Sequence, residues 1–237
     1  MDGLIRVVAC DIFGTTVDWY TGVSTQVGEV FDELGIRVDA GQFASEWRDE
    51  YVPSMQRVRD GERAWANLDV LHRESLEQLL RRHGVAEAVD DASRTRMVRG
   101  WHGLPAWDDA AAGLARLRTR YVIMALSNGG FALLTNLIKS AQLPFDCIVS
   151  AELVHAYKPD PRVYRAAADL LDVTPDQVTM VAAHGRDLRG AAAVGLRTAF
   201  LERPREKGPD RDAERAADVT SDWAVSSFLE LGDRLGC

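Results

Sequence analysis

Cysteine is scarce in this chain of 237 residues, and the few that occur form no recognisable pattern. Cys10, Cys147 and Cys237 are odd in number and lack the close spacing of metal ligands. The sequence therefore offers neither a disulfide framework nor a cysteine-bound metal, and reduced thiols in a cytoplasm are the simplest interpretation. Because Met1-Asp2-Gly3 supplies no basic flank for a signal peptide, we expect a cytoplasmic protein.

Long apolar runs and blocks of basic residues are also missing. No run approaches the roughly 20 apolar residues that span a bilayer, so we expect no membrane partner. The net charge is −8, and no block of Lys and Arg residues forms a local basic patch. Both observations argue against a nucleic-acid partner. Apolar residues at 46% and charged residues at 27% are ordinary for a globular protein of one large or two modest domains.

The sequence does contain a regular alternation of strands and helices from about residue 108 onward. Short apolar strands are predicted at 122–126, 147–149, 178–183 and 198–200, separated by helices near 110–118, 132–141, 162–171 and 188–194. This alternation predicts an α/β fold with a doubly wound, Rossmann-like parallel sheet. The charged stretch 202–216 is predicted to be a surface loop without a chemical role.

Residues 20–104 differ in pattern, since they show helical periodicity and almost no strand signal. Helices are predicted near 23–34, 42–59 and 92–101, with Pro53 interrupting the second. The apolar segment 5–10 lies before this block and is predicted to be a buried parallel strand. We therefore predict a core of residues 1–19 and 105–237, with an inserted helical cap domain of residues 20–104.

Polar side chains follow the predicted strands of the core. In an open parallel sheet, ligands bind beyond the carboxyl ends of the strands, so residues at those ends should meet. In chain order the candidates are Asp11, Ser127 with Asn128, Lys158, and His184 with Asp187.

These candidates lie in segments that resemble the motifs of the haloacid dehalogenase superfamily, over essentially the whole chain. The similarity is greatest to the type II L-2-haloacid dehalogenases, on segments 11–15, 127–129 and 158–164. The resemblance implies that Asp11 attacks the halogen-bearing carbon of a short 2-haloalkanoic acid and forms an ester. Water would then release the 2-hydroxy acid with inverted configuration.

Two positions separate this chain from the phosphatases of the same superfamily. Those enzymes carry a second aspartate two residues after the first, where this sequence has Phe13, which can neither give nor take a proton. They also hold Mg²⁺ with acids of the last motif, where this sequence has Ala183. Mg²⁺ prefers hard oxygen ligands, so we expect a site with no metal and no cofactor.

The resemblance also implies roles for the residues around Asp11. Thr15 and Lys158 would hold the carboxylate in place and ionised. Ser127 and the backbone N–H groups beyond the strands would bind the substrate carboxylate. Asn128 would cradle the halide, and Phe13 is counted with the substrate-binding residues.

A cap arginine is expected beside the halide as well. Arg48, Arg57 and Arg59 are the candidates, and spacing to the segment 71–76 favours Arg59. For any one of the three, a solvated arginine on a helix face is about as good an explanation as a role at the halide.

Three further residues keep more than one interpretation each. His184 stands where the best-known dehalogenases have asparagine, and it is a general base for water, a donor to fluoride, or a structural histidine. Asp187 orients Lys158 or activates water, and it can also cap the following helix. Tyr164 is a hydrogen-bond partner of the site or a core contact within its helix.

Two other classes of function remain open at this stage. One is a Mg²⁺-dependent phosphohydrolase of the same superfamily, which disagrees with Phe13 and Ala183. The other is a non-catalytic binding protein with the same fold, which has little need of Asp11, Ser127 and Lys158 together. The resemblance further implies a homodimer and a small-molecule 2-haloacid as substrate.

Overall fold

The computed structural model describes residues 5–237, so the first four residues of the predicted core segment 1–19 lie outside the described residues. Its centre is a parallel sheet of six strands. In chain order these are β1 (Val7–Cys10), β2 (Val122–Ser127), β3 (Cys147–Ser150), β4 (Val178–Ala182), β5 (Arg197–Leu201) and β6 (Trp223–Val225). Their spatial order is β3-β2-β1-β4-β5-β6, which confirms the predicted α/β fold class.

Strand β1 occupies the middle of the sheet. All four of its residues are buried, as expected for a strand covered on both faces. Cys10 pairs in register with Ala125 of β2 on one side and with Val181 of β4 on the other. Asp11, the next residue, is thereby brought to the carboxyl ends of two strands that are distant in sequence.

The core helices follow the predicted alternation to within a few residues. They are α6 (Ala110–Leu117), α7 (Phe131–Ser140), α8 (Pro161–Asp169), α9 (Gly185–Ala192) and α10 (Phe228–Leu235). Helix α9 begins three residues earlier than predicted, which places Asp187 in its first turn. Strand β6 and helix α10 were not predicted. The three residues of β6 are too few to show the period of a strand.

Five helices are inserted between β1 and the core helix α6. They are α1 (Trp19–Leu34), α2 (Ala40–Asp49), α3 (Tyr51–Arg59), α4 (Leu68–Arg82) and α5 (Asp91–Gly100). The interruption that was predicted at Pro53 lies three residues earlier: the chain breaks at Glu50, and Pro53 sits in the first turn of α3. A proline is tolerated there because the first N–H groups of a helix have no partner within it. Within residues 5–237, no helix has the length and apolar character needed to cross a bilayer.

The segment 202–216 corrects a prediction, because it is not a plain surface loop. Arg203 and Glu206 are only 7% and 3% exposed. Arg203 donates from Nε to the carbonyl of Thr15 at 2.9 Å and from Nη1 to Asp109 at 2.7 Å. A high density of charged residues usually marks a solvated surface, but here the buried charges have partners.

The ion pair of buried Arg203 with half-buried Asp109 yields a test of stability. Replacing Arg203 with alanine leaves Asp109 without its cation, and we expect the free energy of unfolding to fall by about 3–5 kcal/mol. The control is Arg234→Ala, whose side chain is 58% exposed beside Glu230; this change should cost less than about 1 kcal/mol. Urea denaturation of both variants measures the difference. Equal losses would contradict the buried pairing.

Candidate active site

A cavity of about 260 Å³ opens at the carboxyl ends of β1, β2 and β4, below helices α2 and α3. This is the edge at which the sequence predicted the reactive residues to meet. The cavity is small compared with pockets for drug-sized molecules, so it suits a ligand of few atoms. Its wall includes Asp11, Phe13, Trp19, Arg48, Tyr51, Met55, Asn128, Lys158, Tyr164, His184, Asp187 and Glu206.

Lys158 lies between two carboxylates at the base of the cavity. Its Nζ is 2.9 Å from Oδ1 of Asp11 and 2.5 Å from Oδ2 of Asp187, and it also donates to the carbonyl of Leu126 at 3.0 Å. All three charged side chains are less than 10% exposed. The ammonium thus has three acceptors and no need of water.

Burial and charge set the protonation of this group of residues. Burial opposes ionisation of Asp11, but the nearby charge of Lys158 holds the pKa of Asp11 well below its usual range. Burial would likewise lower the pKa of Lys158, and the charges of Asp11 and Asp187 raise it. Burial and the charge of Asp11 raise the pKa of Asp187. Asp11 is therefore an ionised carboxylate, and Asp187 is the more basic of the two.

Asp187 does not cap helix α9, although it lies in the first turn. Its Oδ1 accepts a hydrogen bond from the hydroxyl of Tyr164 at 2.6 Å, and its other oxygen accepts from Lys158. Among the roles that the sequence allowed for Asp187, these contacts agree with orienting Lys158. Tyr164 is fully buried and bonds directly to this group.

Thr15 lies behind Asp11 and does not line the cavity. Its hydroxyl donates to Oδ2 of Asp11 at 2.9 Å and accepts from the backbone N–H of Ala183, also at 2.9 Å. Phe13 does face the cavity and makes edge contacts with Tyr51 and Trp101 at 6.4 and 5.9 Å between ring centres. The segment 11–15 thus supplies an orienting hydroxyl and an apolar wall.

The two residues that end β2 take different places. Ser127 is fully buried behind the wall, where its hydroxyl accepts from the N–H of Gly129 at 3.1 Å. Asn128 lines the cavity; its Oδ1 accepts from the backbone N–H of Lys158 at 2.7 Å, and its Nδ2 is 3.3 Å from the sulfur of Met55. Only Asn128 of this pair presents its side chain to the cavity.

The structure does not place Arg59 in this cavity, contrary to the prediction from spacing. Arg59 is at the last turn of α3, and its guanidinium bonds to Gln56 and to the carbonyl of Lys158. Arg48, on α2, is the arginine that lines the cavity. Spacing misled here because the break at Glu50 changes which helix face meets the core.

Arg48 is held by aromatic rings and keeps a free donor. Its guanidinium carbon lies 4.0 Å from the ring centre of Tyr51 and 5.4 Å from that of Trp19. Its buried Nη1 has no hydrogen-bond acceptor within residues 5–237. An anion in the cavity is a natural partner for such a donor.

His184 stands between two carboxylates. Its Nδ1 is 3.3 Å from Oδ2 of Asp11, and its Nε2 is 3.3 Å from Oε1 of Glu206. Burial alone would lower the pKa of His184, but its contacts with Asp11 and Glu206 raise it to about 10. At neutral pH the ring is therefore a cation and a donor, which disagrees with the idea of a general base of ordinary pKa.

Glu206 is the residue of the site that the sequence analysis missed. It follows β5, and the rule that ligands meet the ends of parallel strands applies to that strand as well. Because the whole segment 202–216 was predicted to be a surface loop, Glu206 was not among the candidates. Burial would raise the pKa of Glu206, but the hydrogen bond and charge of His184 lower it to about 2.

The side chains around Asp11 do not fit a magnesium ion, which the phosphatases of this fold use. Lys158 and the charged ring of His184 face the two oxygens of Asp11, and Ala183 offers no carboxylate. Within the described part of the chain, no three His, Cys, Asp or Glu side chains form a metal-binding group. The cations that face Asp11 are supplied by the protein itself.

Comparison with known proteins agrees with this geometry. A family model described as a haloacid dehalogenase-like hydrolase matches residues 5–195. (S)-2-haloacid dehalogenase 1 of Pseudomonas sp. strain CBS-3 is 32% identical over 203 residues, covering 84% of this chain and 85% of the relative. (S)-2-haloacid dehalogenase 4A of Burkholderia cepacia is 29% identical over 202 residues, covering 84% of each chain.

Solved structures extend the likeness to the whole fold. The L-2-haloacid dehalogenase PA0810 is 40% identical with a TM-score of 0.91, covering 98% of this chain and 99% of that one. The defluorinating L-2-haloacid dehalogenase Rha0230 is 38% identical with a TM-score of 0.95, covering 98% and 96%. The chain therefore belongs to the haloacid dehalogenase superfamily of hydrolases and, within it, to the L-2-haloacid dehalogenases, as the motifs predicted.

The buried cation between two carboxylates yields a test by pH. In Lys158→Met, Asp187 stays buried without its cation, so its ionised form is penalised and its pKa rises further. We expect the variant to lose about 3 kcal/mol of stability at pH 7.5. That deficit against wild type should shrink at pH 5, because a group with a raised pKa destabilises the fold only as pH rises through that pKa.

Thermal unfolding at the two pH values measures this deficit. The matched control is Lys139→Met on the exposed face of α7, which should show little deficit at either pH. A deficit in Lys158→Met that grows toward pH 5 would show that the charges are assigned wrongly.

Proposed function

We propose that this enzyme, a hydrolase of carbon–halide bonds of the (S)-2-haloacid dehalogenase type, converts short 2-haloalkanoic acids into 2-hydroxy acids without a metal. One observation carries the proposal: an ionised, oriented Asp11 faces a small cavity, with Phe13 in place of an acid two residues later. A departing alkoxide needs a proton from such an acid. Chloride and bromide are weak bases and leave without one.

In the first step, an oxygen of Asp11 attacks the carbon that bears the halogen. The new C–O bond forms as the C–halogen bond breaks, the halide leaves with its electron pair, and the carbon inverts. A carboxylate is a poor nucleophile in water, so burial of Asp11 and its fixed contacts with Thr15 and Lys158 promote this step. The product is a neutral ester of Asp11.

The substrate carboxylate and the halide need donors in the same cavity. Asn128 and the free Nη1 of Arg48 line it and supply them. Ser127 acts from behind the wall by holding the turn at Gly129, so its contribution is to shape the loop. Backbone N–H groups beyond β1 complete the set, as the motif resemblance implies.

In the second step, water attacks the carboxyl carbon of the ester. The bond from that carbon to the alkyl oxygen breaks, and the alkyl oxygen takes up the proton that Asp187 has accepted from the water. The second proton of the water is lost to solvent, so the 2-hydroxy acid leaves and the carboxylate of Asp11 is restored. Asp187 is the acceptor for the proton of the water, because its pKa is raised and Lys158 and Tyr164 hold it in place. His184 is already protonated and does not serve as this base.

Fluoroacetate is the substrate that would make most use of His184. Fluoride is small and hard and leaves carbon poorly unless it receives a strong hydrogen bond. The cationic ring of His184 beside Asp11 can donate that bond. A defluorinating enzyme is among the proteins to which this chain is similar, which supports the proposal.

A homodimer and a cytoplasmic location stay predictions from the sequence. The proposed substrate is a small organic anion, and the free guanidinium donor of Arg48 suits its carboxylate. These expectations do not bear on the chemistry of Asp11.

The role of Asp11 is tested by halide release. Asp11→Asn removes the nucleophilic charge and should reduce release from 2-chloropropionate by about 10⁴-fold or more, as expected for loss of a covalent catalyst. The control is Asp176→Asn, a carboxylate exposed on the surface, which should keep wild-type activity. Both are assayed with EDTA, which we expect to have no effect. Phosphate release that depends on Mg²⁺, with no halide release, would contradict the proposal.

The role of His184 is tested by comparing two halides. His184→Asn keeps a neutral hydrogen-bond donor but removes the cation. We expect fluoride release from fluoroacetate to fall by about 10²-fold, as for loss of one transition-state donor, while chloride release from chloroacetate falls by less than about tenfold. Ion-selective electrodes follow both products. An equal loss of the two activities would contradict a specific role in fluoride departure.

A further inference from the structure

Glu206 is a buried carboxylate on which His184 depends. It is 3% exposed, and its Oε1 accepts a hydrogen bond from Nε1 of Trp19 at 2.7 Å. The same oxygen lies 3.3 Å from Nε2 of His184. Glu206 is thus on the far side of the imidazole ring from Asp11.

The segment that carries Glu206 packs against the loop of residues 11–15. Gly14 has φ +86°, and a Cβ atom there would lie 2.5 Å from Oε1 of Glu206. A glycine at this position provides both the left-handed backbone and the space for the carboxylate. The backbone of Glu206 bonds to Arg203, which in turn is fixed to Thr15 and Asp109. The side chain of Glu206 is therefore packed against Gly14, and its backbone is fixed through Arg203.

The charges around the ring change during the proposed reaction. At rest, His184 faces Asp11 from the end of β1 and Glu206 from the segment after β5. When Asp11 becomes an ester it loses its charge, and Glu206 is then the carboxylate that remains in contact with the ring. The other charged groups on the cavity wall are Arg48, Asp49, Lys158, Arg186, Asp187, Lys207, Arg211 and Glu214.

We propose that Glu206 is a positioning residue that keeps the ring of His184 oriented and protonated, with its Nδ1–H directed at the leaving halide. This inference rests on the proposed function. As the electron pair of Asp11 forms the C–O bond, the Nδ1–H group loses its charged acceptor. The departing fluoride carries the pair of the C–F bond and accepts the hydrogen bond in its place. Nε2 stays bonded to Glu206 throughout.

A structural role alone predicts different behaviour. Glu206→Gln keeps the shape of the side chain and an oxygen acceptor for Trp19, but it removes the charge. If Glu206 only fills space and holds the loop, this variant should leave the protonation of His184 unchanged. If Glu206 keeps the ring charged, the pKa of His184 should fall by about 1 to 3, the effect of one close opposite charge.

The first measurement is an NMR titration of histidine labelled with ¹⁵N, with His184→Asn used to assign the signal. Wild-type His184 should titrate near pH 10, and the Glu206→Gln signal should titrate well below that value. The control Glu202→Gln, a half-buried glutamate of the same segment, should leave the signal in place. A signal unmoved by Glu206→Gln would overturn the inference.

The second measurement is the pH profile of halide release. In Glu206→Gln the alkaline fall in fluoride release should move to lower pH, with a loss of about tenfold at pH 9, because most rings are then neutral. Chloride release should fall by less than about threefold. Equal losses of both halides with an unmoved profile would show a structural role only. Circular dichroism checks that the variant is folded.

The NMR titration and the assay of halide release distinguish failure of this inference from failure of the proposed function. The titration needs no turnover, so it reports on Glu206 and His184 even if no halide is released. Absence of halide release by the wild type would contradict the proposed function alone. Release by the wild type with an unmoved His184 signal in Glu206→Gln would contradict the inference alone.

Discussion

The ammonium of Lys158, buried between Asp11 and Asp187, is the interaction on which the site depends. Two carboxylates this close to one another cannot both stay ionised in a buried place without a cation between them. Lys158 supplies that charge, and its backbone N–H is fixed in turn by Asn128. The ionised state of Asp11, the raised pKa of Asp187 and the position of the loop that follows β2 are all linked to this one side chain.

Six charged groups of the cavity balance one another, and the other charged residues of its wall add one excess positive charge. Asp11, Asp187 and Glu206 are opposed by Lys158, His184 and Arg48. In the proposed reaction, an incoming haloacid adds one negative charge through its carboxylate, and the departing halide removes one as Asp11 becomes a neutral ester. Departure of the halide would thus remove the charge that the substrate brought into a place that water screens poorly.

Most of the fold was predictable, and the part of the site that was not has a physical cause. Asp11, Asn128 and Lys158 come after apolar strands. The carboxyl ends of parallel strands meet at one edge of the sheet, independently of how the helices pack. Arg48 could not be chosen over Arg59, because a helix break at one residue rotates the face that meets the core. Glu206 was missed because local charge density predicts exposure, whereas its burial depends on a partner 22 residues away in sequence.

The central position of β1 has a consequence for how the protein folds. Val7 pairs with Val122 on one side and with Val178 on the other, so both neighbours of the nucleophile's strand come from more than a hundred residues away. Closing loops of that length costs chain entropy before any contact repays it. Fragments that end before β4 lack one neighbour of this strand. We therefore expect the site around Asp11 to form only together with the sheet.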